Sequence, residues 1–192
     1  MTKDQVLEIF HKADAILEGH FILTSGRHSS LYMQKAKVFM HADLTEILCK
    51  ALANKILEYI KEPIKYLIGP AIGGIIPAFE TSKHLKIPAL WVERVDGKFC
   101  LKRFSINKGD NIVIIEDIVT TGLSIKETIH TMQEAGANVL AAACILDRSA
   151  GKVEVGVPLI SLCSYEVPSY AAHEVPEELA KIPAIKPGSR NN

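Results

Sequence analysis

From residue 66 onward, short runs that are apolar at every position but Ser161 alternate with segments of helical periodicity. The runs are 66–68, 89–92, 112–115, 139–146 and 159–163. A strand with one wet face alternates in polarity, whereas a strand apolar throughout has both faces covered. Such runs predict a mainly parallel sheet with helices on each side. Between the third and fourth runs, Ile125, Thr128, Ile129 and Met132 form a helical stripe closed by Gly136, which makes this stretch a βαβ unit. Ligands of such open sheets sit beyond the carboxyl ends of the strands, so the loops there are where chemistry is sought.

The flanking segments are less regular. Thr2 and Gln5 have the spacing of a capping box, and Val6, Ile9, Phe10, Ala13 and Leu17 follow at helical spacing until Gly19. Residues 23–30 are polar and turn-rich, and 31–39 are compatible with extended backbone. Asp43 and Glu46 open a second helix, with Leu44, Ile47, Leu48, Ala51 and Leu52 as its apolar face. The tail from Val167 carries Pro168, Pro176, Pro183 and Pro187 and reads as irregular.

At 192 residues and 48% hydrophobic, the chain is expected to form one domain over 1–192, with its core over roughly 43–165. Lys plus Arg equals Asp plus Glu at 22 each, so no global field attracts nucleic acid or an anionic membrane, and anion binding must be local. Cys49, Cys100, Cys144 and Cys163 form no CxxC pair, and Cys144 and Cys163 lie inside apolar runs as reduced, buried thiols. The charged opening is not a signal core, and no apolar run approaches the ~20 residues of a membrane span. A cytoplasmic protein is expected. The seven histidines show no HExxH spacing and read as surface or core residues; His28, within a motif discussed below, is the one worth testing.

Residues 111–124 read Asn-Ile-Val-Ile-Ile-Glu-Asp-Ile-Val-Thr-Thr-Gly-Leu-Ser: a buried strand, two acids, a short turn, a helix start. Gly122 lets backbone approach a ligand, and the unpaired amides and dipole of the helix start favour an anion. Hydroxyls of Thr120, Thr121 and Ser124 add donors, giving a site suited to a phosphate monoester. Glu116 and Asp117 repel phosphate, but they accept hydrogen bonds from sugar hydroxyls and favour positive charge developing nearby. A ribose phosphate satisfies both halves. Either half alone is also a common structural arrangement, an acid at a strand end or a hydroxyl helix cap. No GxGxxG or GxxxxGK[ST] run is present. Residues 69–74, Gly-Pro-Ala-Ile-Gly-Gly, follow a strand and precede a helix, and form either a second anion cradle or a tight turn.

Residues 112–124 resemble the phosphoribosyl pyrophosphate (PRPP) signature of the type I phosphoribosyltransferases. Residues 19–34 and 68–76 are similar to the amino-terminal motif and the pyrophosphate loop of the orotate phosphoribosyltransferases. Leu146-Asp-Arg148 matches their late strand end, and 187–190 resembles one bacterial and archaeal branch. The resemblance implies a type I phosphoribosyltransferase fold, a mainly parallel α/β sheet with a small hood built from 1–42 and 166–192. It implies transfer of the phosphoribosyl group of PRPP to orotate, with a purine or uracil enzyme or a PRPP-sensing regulator as alternatives.

The same resemblance assigns PRPP to Glu116, Asp117, Ile118, Val119, Thr120, Thr121, Gly122, Leu123 and Ser124, with Ala71 and Gly73 at the pyrophosphate. It assigns orotate to Thr120, Arg148, Tyr32 and Thr24, the arginine fork suiting a carboxylate. Catalysis would rest on Asp117 and on Arg94 and Lys98 of a flexible basic loop, 93–105, that closes over the neighbouring subunit of a homodimer. Mg²⁺ would be carried by PRPP rather than by protein side chains. The sequence departs from the pattern at Gly73 and Val95, where many members carry lysine, and at Thr24, where some do.

Overall fold

The computed structural model describes residues 1–23 and 25–187. The first helix, α1 (Lys3–Lys12), begins at the expected capping box: Gln5 N donates to Thr2 Oγ1 at 3.3 Å and Thr2 N donates to Gln5 Oε1 at 2.9 Å. It ends earlier than its apolar spacing suggested. Asp14 adopts a φ of 49°, the chain turns, and Leu17 and Gly19 enter strand β1 (Ile16–Ile22). That strand pairs antiparallel with β2 (His28–Met33), from Ile16 opposite Met33 to Ile22 opposite His28. Extended backbone stops at Met33, and α2 (Ala36–Phe39) is a single helical turn. In α3 (Ala42–Tyr59), Leu44, Leu48 and Leu52 face inward as expected, but Ile47 faces out.

All five apolar runs are strands. They are β3 (Tyr66–Pro70), β4 (Ala89–Val95), then β6 (Asn111–Val119), β7 (Asn138–Asp147) and β8 (Leu159–Ser164) after the short β5 (Lys98–Cys100). Helix α4 (Ile75–Leu85) joins β3 to β4, α5 (Leu123–Glu134) joins β6 to β7, and α6 (Glu177–Ala180) lies in the tail. The sheet order is β5-β4-β3-β6-β7-β8, parallel except at β5. Along β6, Val113 and Ile115 pack with Phe10, Leu48, Leu52 and Ile56 on one side. Ile112 and Ile114 pack with Ile125, Ile129 and Met132 on the other. Each such isoleucine contributes roughly 1.5–3 kcal/mol by its burial, which is why neither face of β6 carries a polar residue between Asn111 and Glu116.

Two consequences position the site. The β3–α4–β4 connection runs one way along the sheet and β6–α5–β7 the other, so the loops after the adjacent β3 and β6 diverge and leave a crevice between them. Outside the sheet, the tail closes on the β1–β2 hairpin. Ile22 N donates to Ile185 O at 2.8 Å and Ile185 N to His20 O at 2.9 Å, while His28 and Tyr170 exchange two backbone bonds of 2.8 Å.

The first part of the basic stretch, 93–100, is a hairpin, and 101–105 leave it without regular structure. Asp96 and Gly97 both take positive φ, 49° and 81°, and β5 returns along β4 with Phe99 buried among Ile125-side core residues. Cys49, Cys144 and Cys163 are free and buried; burial pushes the Cys49 thiol up to about 12 and raises the other two. No helix among the described residues is long and apolar enough to cross a membrane.

Candidate active site

The loop after β6 is built as an anion cradle. Gly122, at φ 72°, precedes α5, and the helix start has no side-chain cap. A Cβ on Gly122 would stand 2.5 Å from Val153 Cγ1 and 2.8 Å from Val155 Cγ1, so packing as well as backbone conformation demands glycine. Glu116, Ile118, Val119, Thr120, Thr121, Gly122, Leu123, Ser124 and Ile125 surround a cavity of about 50 Å³. That is room for one tetrahedral anion facing the helix-start amides, of which that of Leu123 makes a long bond of 3.4 Å to Thr121 Oγ1.

The acids sit at its mouth, both buried. Desolvation first, then the adjacent Asp117 charge, push Glu116 up to about 8. Asp117 has a cationic partner that the sequence did not reveal. Lys35 Nζ lies 2.8 Å from each of its carboxylate oxygens, with hydrogen-bond geometry to Oδ1 alone. Asp117 Oδ2 is therefore buried beside a charge yet accepts no hydrogen bond.

Across the crevice stands the turn after β3. Ala71 N–H donates to Val92 O at 2.8 Å and Gly74 N–H to Pro70 O at 2.9 Å, so Ala71 has no amide to offer and the available donors are those of Ile72 and Gly73. A Cβ at Gly73 would meet Asp117 Oδ2 at 2.2 Å and Lys35 Nζ at 3.1 Å. The two loops touch.

A second pocket, about 620 Å³, opens from Thr120 and Thr121 toward the hood; Tyr32, Arg27, Arg148 and Ser169 are among its walls. Arg148 is set beside Thr120 by the sheet, since its amide donates to Val119 O at 2.8 Å. Its guanidinium is half-buried, its Nε is buried without a hydrogen-bond partner among the described residues, and desolvation lowers its pKa. Arg27 ties the hood to the tail through Nε to Ser169 Oγ, 2.9 Å, and through Nη2 to Ser169 O. Tyr32 stacks on Phe21 at 5.6 Å. Thr24 and most of the 187–190 motif lie outside the described residues.

His28 is a structural residue of the hood. His20 Nδ1 lies 2.9 Å from Ile182 O, a carbonyl that can only accept, so His20 donates there, and its Nε2 shares a hydrogen bond of 2.6 Å with His28 Nδ1. Asp147, beside Arg148, is also structural: its carboxylate accepts from Ser149 N, Ser149 Oγ and Gly151 N. The hollow of about 630 Å³ behind it is separate from the acidic pair.

Arg94 lines a cleft with Ala71, Ile72 and Arg103. It is anchored there, donating to Gly97 O at 2.6 Å, pairing with Glu127 and lying 4.2 Å from the Phe99 ring centroid. Lys98 is exposed on β5 and lines none of these cavities.

An anion cradle, a carboxylate pair and a second backbone turn, all at the switch point of a parallel sheet, define an enzyme that grips a ribose phosphate. A phosphoribosyl transferase domain is matched over residues 40–178. Curated proteins similar to this chain include the orotate phosphoribosyltransferase of Bartonella henselae, 69% identical, and orotate phosphoribosyltransferase 2 of Mesorhizobium japonicum, 63% identical, each aligned over the whole of both chains. A crystal structure of orotate phosphoribosyltransferase from Aeropyrum pernix superposes with a TM-score of 0.68 at 26% identity, covering 83% of this chain and 93% of that one. An adenine phosphoribosyltransferase shares the fold alone, at 17% identity and a TM-score of 0.63, over 82% of this chain and 98% of that one. The chain belongs to the orotate phosphoribosyltransferases, a branch of the phosphoribosyltransferase family.

Proposed function

We propose that this chain transfers the 5-phosphoribosyl group of PRPP to orotate, giving orotidine 5′-monophosphate and pyrophosphate on the route to UMP. One observation carries the choice of base. The pocket that adjoins the phosphate cradle contains a desolvated arginine, Arg148, whose buried Nε has no hydrogen-bond partner among the described residues, and a carboxylated base supplies one.

The helix-start amides of 122–125 hold the 5′-phosphate, and the ribose hydroxyls donate to Glu116 and to the unsatisfied Asp117 Oδ2. As the bond at the anomeric carbon breaks, the sugar gains positive charge that the Asp117 carboxylate favours, while the amides of Ile72 and Gly73 face the leaving diphosphate. The hood, clamped by Arg27 and the tail, shields the base side from water. Mg²⁺ fits a substrate-borne role. Among the described residues the donors grouped closely enough to share an ion are Glu46, Glu80 and His84, which Lys83 already bridges on α3 and α4. At the site, Glu116 and Asp117 would hold the ion's water shell, and it would neutralise charge on the diphosphate.

A homodimer is supported by α4. Ile76 and Phe79 are one turn apart on the helix and exposed, Phe79 by 67%, beside the exposed Met40, and Ile72, exposed by 87%, stands on the turn just before it. That face borders the pyrophosphate turn, so a partner seated on it lies within reach of the Arg94 cleft. Buried free thiols support a reducing, cytoplasmic compartment.

The test offers orotate, uracil, hypoxanthine and xanthine separately with Mg²⁺ and PRPP. Consumption of orotate alone is expected; turnover of another base with orotate untouched overturns the reading.

A further inference from the structure

We propose that Lys35 is a substrate-binding residue: parked on Asp117 in the free protein, its ammonium is drawn to the diphosphate of the sugar substrate, and the ribose hydroxyls take its place on Asp117. The proposal rests on the functional reading above and deepens it.

Four observations converge. Asp117 is 1% exposed while the Lys35 side chain is 45% exposed, so the ammonium caps a buried acid from the open side of the crevice. It lies 3.1 Å from where a Gly73 Cβ would stand, against the turn whose free amides face the diphosphate. That turn, 70–74, contains no cationic side chain of its own. The arginines of the neighbouring cleft are already committed, Arg94 to Glu127 and Arg103 to Glu93 at 2.7 Å.

Competition decides what Lys35 does next. A diphosphate offers more negative charge than one carboxylate, and Asp117 no longer needs the ammonium when two sugar hydroxyls donate to it. A half-exposed lysine on a flexible stem can swing between acceptors that close at little cost, which a buried guanidinium could not. The handover also leaves Asp117 ionised beside the anomeric carbon, where positive charge develops.

The experiment separates this role from that of a simple partner for Asp117. Inorganic pyrophosphate has no ribose, and orotidine 5′-monophosphate has a ribose but no diphosphate. Each is titrated by calorimetry, with Mg²⁺, into the full chain and into Lys35→Gln and Lys35→Arg. For Lys35→Gln, affinity for pyrophosphate and PRPP is expected to fall about ten- to a hundredfold, with that for orotidine 5′-monophosphate near the parent value; Lys35→Arg restores most of the loss. Unchanged pyrophosphate affinity in Lys35→Gln overturns the proposal. So does an equal loss for the nucleotide, which would make Lys35 a structural counter-ion alone. If Lys35→Gln does not fold, acylation of Lys35 in the parent replaces it: pyrophosphate is expected to protect the amine, and an unprotected amine overturns the proposal. A parent that binds neither ligand overturns the functional reading itself, before any variant is made.

Discussion

Gly73 and Asp117, from loops 44 positions apart, touch so closely that a Cβ on the first would stand 2.2 Å from Oδ2 of the second. The contact joins the turn after β3 to the acid proposed to bind ribose, and it is made by the end of a side chain rather than by backbone. Gly73→Ala is therefore expected to fold, with the carboxylate displaced. Losing one charge-assisted hydrogen bond to ribose raises the KM for PRPP roughly ten- to a hundredfold and leaves that for orotate unchanged. Initial-rate kinetics with each substrate varied in turn check it; a PRPP KM equal to the parent's separates Gly73 from Asp117.

Arg148 is the counterpart for the base. Arg148→Ala removes the cation that faces the hood pocket, so the KM for orotate is expected to rise by about one to two orders of magnitude while PRPP binding survives. If orotate saturates the variant as readily as the parent, the carboxylate binds elsewhere.

Glu116 links the site to pH. Its ordinary value is 4.5, and in the folded chain burial and Asp117 push it up to about 8. Between those limits the folded state holds a proton that the unfolded chain has released. Stability of the ligand-free protein therefore falls as pH rises through this window and levels off above it. Glu116→Gln removes the titrating group, so melting temperatures measured from pH 4.5 to 8.5 should decline less steeply than the parent's. Two parallel curves would falsify this account of Glu116.

Gly122 is constrained twice, by a φ of 72° and by two valine methyls within 3 Å of any Cβ. Gly122→Ala is expected to cost roughly 1–3 kcal/mol in denaturant unfolding and to weaken phosphate binding, because the helix-start amides must shift with the backbone. A neutral substitution would mean the loop relaxes without moving them.

Phe79→Glu places a charge in the exposed α4 face. Light scattering is expected to show the 21.1 kDa mass of a single chain where the parent shows a dimer. A parent that is itself monomeric, or a variant that remains dimeric, removes this face from the interface.

The sheet was readable because its strands are apolar on both faces, a local pattern set by helices covering each side. The phosphate loop was readable for the same reason: cradle, acids and helix start occupy one stretch of chain. Leu17 was not. Its helical spacing from Phe10 and Ala13 is real, but Asp14 turns the chain and β2 offers backbone partners that no local pattern displays. The β4–β5 hairpin did leave a signal in Asp96-Gly97, overlooked amid the basic residues around it. Lys35 left none. It sits among Gln34, Ala36 and Lys37 like any surface lysine, and its partner is 82 positions away.

The tail bonded along both edges of the hood divides labour along the polypeptide. Grip on the sugar phosphate is encoded contiguously, between β6 and α5. The pocket proposed for the base is shared with the hood and the tail, with Tyr32, Arg27, Val167, Ser169 and Pro187 around Arg148. Swapping the two terminal stretches as a matched pair is thus a route to retargeting the acceptor without rewriting the donor's cradle.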